Sequence, residues 1–80
     1  MTTVKNLKQI LEEQNFKCFD TMKTNQIGIY LKFNKKPYNA VITVLSNSYS
    51  LKIFDSTTAE LVDEYLMKSA DDILQILYSF

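Results

Sequence analysis

Residues 27–33 read Ile-Gly-Ile-Tyr-Leu-Lys-Phe, with an apolar side chain at every second position from Ile27 onward. A period of two is typical of a β-strand that buries one face and exposes the other. Residues 39–45 are apolar on both parities and rich in β-branched side chains, which indicates a central strand. Residues 49–54 alternate again and predict a third strand.

Short connections join these three predicted strands. Residues 34–37, Asn-Lys-Lys-Pro, and residues 46–48, Ser-Asn-Ser, are rich in the residue types that favour turns. Strands separated by so few residues pair with each other as antiparallel neighbours. The sequence therefore predicts an antiparallel meander, while residues 17–25 are mixed in character and predict irregular structure.

A helix is predicted at each end of the chain. Thr2 or Thr3 can cap the first helix, and Asn15 suits the left-handed position at its end. Ser69 can cap the second helix, whose first turn carries two acids that the helix dipole favours. Apolar side chains recur at helical spacing along both segments: Val4, Leu7, Ile10 and Leu11 in the first, and Ile73, Leu74 and Leu77 in the second.

Residues 57–68 support two interpretations. Thr57-Thr58-Ala59-Glu60 has the pattern of a capping box, and the apolar residues that follow keep helical spacing. Asp55-Ser56-Thr57-Thr58 can equally form a hairpin turn, which would make residues 60–67 a fourth strand. The predicted fold is a single α+β domain over residues 1–80: an N-terminal helix, an antiparallel meander of three or four strands, and a C-terminal helix.

The composition removes most of the residues that build active sites. The 80-residue chain has no histidine, no arginine and no tryptophan, and one cysteine. Histidine is the usual general base and metal ligand, and arginine is the usual clamp for phosphate and carboxylate groups. Phe16 and Phe19 flank Cys18, so a buried structural thiol is favoured over a reactive one. We expect a protein that is not an enzyme, with no catalytic residues, no metal and no cofactor.

Charge is distributed unevenly although the formal net charge is zero. Residues 1–38 hold seven lysines and three acids, a net charge of +4, and residues 39–80 hold two lysines and six acids, a net charge of −4. The molecule is dipolar if the two halves do not interleave in space. The lone cysteine and the absence of a signal-peptide core predict a cytoplasmic protein. Abundant Lys, Asn, Ile and Tyr, which A/T-rich codons encode, suggest a low-GC bacterium or one of its phages as the source.

The outward parity of the predicted sheet is the main candidate surface. If Ile27 and every second residue after it face the helices, aromatic and lysine side chains lie on the opposite face of the sheet. A monomer seldom leaves such a patch uncovered, which predicts a partner protein or a homodimer. The alternative is that residues 57–68 cover this face. The predicted contact residues are Tyr30, Lys32, Lys52 and Phe54, with either Val41, Thr43 and Leu45 or Ala40, Ile42 and Val44 between them.

Two charged groups give further candidates. Glu60, Asp63 and Glu64 can form an acidic patch for a basic partner, or simply a solvated face. Lysines near an aromatic ring can bind phosphate and stack on a base, which makes nucleic acid the alternative partner. The same lysines can also serve only to keep a turn soluble and a strand edge unpaired. The nucleic-acid candidates are Lys32, Lys35, Lys36 and Tyr38.

The order helix, three antiparallel strands, helix resembles the double-stranded RNA-binding domain over most of the chain. In that family a basic cluster at the start of the last helix contacts phosphate. Residues 69–72 are Ser-Ala-Asp-Asp here and would repel phosphate, so the RNA-binding function is not carried over. Some anti-CRISPR proteins share the small helix–sheet–helix plan. We therefore expect an interaction module, in its most concrete form a phage or mobile-element accessory protein that inhibits a bacterial host or defence protein such as a CRISPR effector.

Overall fold

A computed structural model describes residues 3–80 of the chain. Two helices flank one antiparallel sheet whose five strands lie side by side in the order of the sequence. The predicted N-terminal helix, meander and C-terminal helix are confirmed, with five strands in place of three or four. The elements are α1 (Val4–Glu13), β1 (Lys17–Asp20), β2 (Gln26–Phe33), β3 (Lys36–Val44), β4 (Tyr49–Asp55), β5 (Leu61–Met67) and α2 (Ala70–Ser79).

Local hydrogen bonds fix both ends of α1. The Thr3 hydroxyl accepts a hydrogen bond from the Asn6 N–H at 3.3 Å, so Thr3 is the N-cap. Thr2, the other candidate, lies outside the described residues. Asn15 has φ 69°, as predicted, and Phe16 N–H donates to the Leu11 carbonyl at 3.1 Å. This is the Schellman arrangement, which turns the chain back towards β1.

The structure corrects two predictions about the connections. Residues 17–20, predicted as irregular, form β1, which pairs with β2 so that Cys18 lies opposite Ile29. The predicted turn at residues 34–37 is only two residues long. Asn34 and Lys35 have φ values of 51° and 67°, as a two-residue hairpin turn requires, so the next two residues already belong to β3.

Residues 61–67 form a strand, and the helical interpretation of residues 57–68 is wrong. The Asp55 carboxylate accepts the N–H groups of Thr57 at 2.8 Å and Thr58 at 3.3 Å. Ala59, with φ 62°, donates its N–H to the Asp55 carbonyl and completes the reversal. The carboxylate thus holds the backbone in a turn, and the apolar residues that follow pair with β4.

Both helices lie on one face of the sheet, which we call the inner face. Their buried side chains join one core with the inward-pointing residues of the strands. The Tyr78 hydroxyl of α2 donates to the Gln14 side chain just after α1, and the Phe16 and Tyr78 rings are 5.5 Å apart. The core consists of Leu7, Leu11, Ile27, Ile29, Ala40, Ile42, Tyr49, Leu51, Ile53, Met67, Ile73 and Leu77.

Acidic residues begin α2 as the sequence predicts. The Ser69 hydroxyl accepts a hydrogen bond from the Asp72 N–H at 3.2 Å, and Asp71 and Asp72 lie in the first turn. Neither of the two helices in the described part of the chain has the length and apolar content that crossing a membrane would require.

Candidate functional site: the uncovered face of the sheet

The second face of the sheet, which we call the outer face, is not covered by either helix. The register places Tyr30 beside Lys17 and Asn39, and Asn39 beside Phe54. These side chains alternate with the core residues and therefore point away from the helices. The four predicted sheet-face residues, Tyr30, Lys32, Lys52 and Phe54, share this face. Of the two predicted central-strand sets, Val41 and Thr43 join them, whereas the third member of that set, Leu45, lies beyond the end of β3.

An aromatic cluster lies near the β1 side of the outer face. The Phe19 and Tyr30 rings lie 4.5 Å apart between centroids, with planes tilted by 37°. Phe19 also lies across Gly28: a Cβ added at Gly28 would come within 2.2 Å of the ring. The glycine thus leaves the space in which the ring lies flat on the sheet. Tyr30 remains 55% exposed despite this contact.

Sequence reasoning missed Phe19 as part of this surface because it did not recognise β1 as a strand. One signal was present: Gly28 is the only glycine in the chain, and it interrupts an otherwise regular strand pattern. A glycine inside a strand often marks the close approach of another group. That group is the Phe19 ring, which the β1–β2 pairing places directly opposite Gly28.

The charges on the outer face are mostly positive. Lys17, Lys32 and Lys52 point to this side of the sheet, whereas Glu64 is the one acid whose register position lies there among the described strand residues. The Lys52 Nζ is 3.7 Å from a Glu64 carboxylate oxygen, and both side chains are about half exposed. An exposed pair of this kind contributes little to stability, so both groups remain available to a partner.

The predicted acidic patch does not form one surface, because two of its members point to opposite sides of β5. Glu64 lies opposite Lys52 on the outer face, whereas Asp63 lies opposite the core residue Ile53. Asp63 accepts a hydrogen bond from the Tyr65 hydroxyl at 2.6 Å, which raises the pKa of Tyr65. Glu60 precedes the strand, in the turn. A helix would have brought the three together, but a strand separates neighbours.

The structure likewise divides the predicted nucleic-acid residues. The Lys36 Nζ lies 2.9 Å from an Asp55 carboxylate oxygen and 5.6 Å from the centre of the Tyr38 ring. The Tyr38 ring packs edge-on against Phe80 at 4.9 Å, on the inner side of the sheet. Lys32 lies on the outer face, and Lys35 lies in the exposed turn. The four residues therefore do not form one nucleic-acid surface.

Hydrogen bonding between Lys36 and Asp55 shifts both groups towards their charged forms. The bond to Asp55 raises the pKa of Lys36. The bond from Lys36, followed by that from the Thr57 N–H, lowers the pKa of Asp55. Because Asp55 is only 7% exposed and also holds the β4–β5 turn, this pair has a structural role.

Cys18 lies on the inner side of β1, partly buried against the core. Burial is the main cause that raises the pKa of its thiol, and the nearby Glu12 carboxylate raises it further. A raised pKa reduces the thiolate fraction at neutral pH, which is the opposite of what a nucleophilic cysteine requires. Within residues 3–80 we find no cavity and no cluster of three or more potential metal ligands.

The sequential strand order keeps the two differently charged halves of the chain apart. The lysine-rich half supplies α1, β1 and β2, whereas the acidic half supplies β4, β5 and α2. They meet around β3, where Lys36 contacts Asp55. The two halves therefore do not interleave in space, which is the arrangement that a dipolar molecule requires.

Comparison with protein-family models, curated proteins and solved structures gave no significant match to this chain. The resemblance in element order to the double-stranded RNA-binding domain extends only to the two helices and three of the strands, because this sheet has two strands more. The residues of the outer face therefore carry the functional argument by themselves.

Proposed function

We propose that the protein is a non-enzymatic interaction module that binds another protein through the outer face of its sheet. One observation supports this most directly: the outer face carries an aromatic cluster in which Tyr30 is exposed and Phe19 half-buried, yet neither helix packs against it. Aromatic side chains are typical of the centre of a protein interface, and polar or charged side chains are typical of its rim. Tyr30, Lys32, Lys52 and Phe54 are the proposed contact residues, together with Phe19.

The charges of the outer face define the chemistry of the partner. Three lysines surround the aromatic side chains, and the one acid, Glu64, is close to Lys52. A second copy of the same face would bring lysines against lysines, which disfavours a homodimer built on this surface. The complementary surface is an apolar patch surrounded by carboxylates on a different protein.

The most concrete form of the proposal combines this surface with the composition of the chain. The abundance of Lys, Asn, Ile and Tyr, which A/T-rich codons encode, supports a source in a low-GC bacterium or its phage. The partner is then a bacterial host or defence protein in the cytoplasm, such as a CRISPR effector, which the module inhibits by occupying an acidic surface. This assignment rests on composition and size, whereas the contact surface rests on geometry.

The test is affinity purification from a lysate of a low-GC bacterium, with the tagged protein compared with its Tyr30→Ser/Phe54→Ser variant. We expect a stoichiometric partner that survives nuclease treatment and is lost with the variant, because the substitutions remove apolar contact area. Both side chains point away from the core, so circular dichroism should show an intact fold. A Met22→Ser variant, which removes a fully exposed apolar residue outside the outer face, should retain the partner.

Retention of the partner by the Tyr30→Ser/Phe54→Ser variant would show that binding uses another surface and would refute the outer-face proposal. The recovered partner then allows a direct test of charge complementarity. Replacing carboxylates on its contact patch should weaken binding, and raising the salt concentration should slow association more than it speeds dissociation. A basic partner surface would contradict the proposed chemistry.

Single-stranded nucleic acid is the second candidate partner, favoured by the combination of aromatic rings and lysines on one sheet face. Bases stack on such rings while lysines contact phosphates. The contacts would be Tyr30, Phe54 and Lys32, with Lys35 in the adjacent turn, and not the pair Lys36 and Tyr38. Fluorescence anisotropy with a labelled oligonucleotide tests it: affinity that falls steeply with added salt supports it, and absence of binding excludes it.

A further inference from the structure

The two edges of the sheet are protected to very different degrees. β1 has four residues, and the Lys8 ammonium of α1 reaches to 3.7 Å from the Asp20 carboxylate at its end. β5 has seven residues, contains no lysine, proline or glycine, and buries only Met67. Natural edge strands are usually kept short, charged with lysine or covered, because an open edge pairs with other strands. β5 is longer and carries no lysine, and its protection consists of two acids and a bulge.

The open edge of β5 presents unpaired backbone N–H and C=O groups together with apolar and acidic side chains. In an edge strand every second residue turns its N–H and C=O away from the sheet, and no other strand within residues 3–80 pairs there. Leu61, Val62 and Leu66 are 50%, 49% and 72% exposed along it. Asp63 and Glu64 lie between them, one on each face of the sheet.

A bulge restricts where a further strand can pair. Ile53 lies opposite Asp63 and Phe54 lies opposite Leu61, so Val62 is the extra residue. A bulge bends the strand and locally disrupts its ladder. The regular part of the edge therefore starts at Asp63 and runs to Met67, with both acids at its beginning.

From these observations we infer that β5 is a docking edge for a strand of a partner protein that carries two adjacent basic residues and, two positions further along, an apolar one. Residues directly opposite each other in a sheet lie on the same face, so consecutive basic side chains reach Asp63 on the inner side and Glu64 on the outer side. The apolar residue then packs beside Leu66. Backbone hydrogen bonds supply the pairing, and the two carboxylates select the sequence.

This edge adjoins the outer face at Glu64 but lies across the sheet from the aromatic cluster, and the inference does not depend on the proposed function. The rings of the aromatic cluster belong to β1 and β2, at the opposite side of the five-stranded sheet. Asp63→Lys, which changes only the inner side of the edge, should leave outer-face binding intact, and Tyr30→Ser, on β2, should leave the edge intact. A failure of either proposal can therefore be recognised without reference to the other.

The experiment titrates the full-length, isotopically labelled protein with blocked heptapeptides of valine and threonine around two central residues, followed by amide NMR. One peptide has Lys-Lys at the centre and the matched one has Glu-Glu. We expect shifts confined to β5 and its neighbour β4, and slower hydrogen exchange of outward β5 amides. The Lys-Lys peptide should bind about tenfold more tightly, because two cross-strand ion pairs replace two repulsions.

A charge-reversal variant sharpens the test. Asp63→Lys/Glu64→Lys should prefer the Glu-Glu peptide, whereas Glu12→Lys/Glu13→Lys, with the same change in net charge on α1, should keep the original preference. Equal binding of the two peptides to the unaltered chain, shifts outside β4 and β5, or no shifts at millimolar peptide would each refute the inference. Peptide-free protein that sediments as a dimer with protected β5 amides would refute it too, since a second copy would then occupy the edge.

Discussion

Neighbouring residues of β3 can be similar in type and yet differ in what covers them, because they lie on opposite faces of the sheet. Ile42 on the inner face is fully buried, whereas its chain neighbour Val41 on the outer face is only partly buried. The inner face packs against two helices. On the outer face the packing that the structure shows is that of the Phe19 ring onto Gly28 and Tyr30. The comparison teaches that apolar content alone does not define a core: what lies opposite each side chain does.

Neighbouring residues on β3 give the largest contrast. Ile42→Ala should destabilise the fold by about 2–5 kcal/mol, because it leaves a cavity between sheet and helices. Val41→Ala should cost less than about 1 kcal/mol, since water can replace the lost methyl groups. Urea denaturation of both variants measures the difference. With a total stability of about 4–12 kcal/mol expected for 80 residues, Ile42→Ala approaches the limit of folding. Equal losses would mean that the outer face is covered in solution.

The aromatic cluster provides the next contrast. Gly28→Ala places a methyl group where the Phe19 ring lies and should cost about 1–3 kcal/mol. In a Phe19→Ala background the same change should be neutral or stabilise by up to about 1 kcal/mol, because alanine is less flexible than glycine. Urea denaturation of the four members of this double-mutant cycle tests the contact. Additive free energies would show that ring and glycine do not interact.

Asp55 makes the inner side of the sheet sensitive to acid. Its pKa is lowered in the folded state, first by the hydrogen bond from Lys36. Its contribution to stability is thus complete above the unfolded pKa of about 3.9 and is lost as pH falls through the lower folded pKa. We expect the urea midpoint to decline in that acidic window, and to decline less in Asp55→Asn. Glu13→Gln, a change on the exposed surface of α1, should follow the unaltered protein.

The smallest expected effect is a difference in thiol reactivity between the inner and the outer face of β1. Cys18 should react with iodoacetamide about tenfold more slowly than a thiol on the outer face, because burial limits access and raises its pKa. The matched protein is Lys17→Cys/Cys18→Ser, which moves the thiol to the adjacent outer position. Mass spectrometry of timed samples gives both rates. Faster labelling of Cys18 than of the thiol at position 17 would contradict the placement of Cys18 on the inner face.

The helices and the three middle strands could be predicted from the sequence because their signals are local. Ser69, Asn15 and the period-two run at residues 27–33 each act within a few residues of chain. β1 could not be predicted, because four residues contain too little periodicity and its conformation depends on pairing with β2. The apolar residues of segment 61–67 fit the spacing of a helix and that of a strand equally well. The Asp55 carboxylate favours the strand, because it holds the preceding residues in a turn.

The candidate surface could likewise be predicted only where its strands have clear local signals. Tyr30 and Phe54 could be placed on one face because the parity of their strands is clear. Phe19 was missed together with β1, and the acidic patch was wrong because a strand sends Asp63 and Glu64 to opposite sides. A surface that crosses several strands is predictable only as far as each of those strands is.

The strictly sequential order of the sheet has a consequence for how the chain folds. Every strand pairs with the strand that precedes or follows it in the sequence, so each pairing step closes a short loop at little entropic cost. Sheets of low contact order form quickly and pass through few traps. The slowest contact to form should be the one that joins the two ends of the chain, between Tyr78 and Gln14, 64 residues apart. Docking of α2 onto α1 would then be the last event, completed on a sheet that hairpins have already assembled.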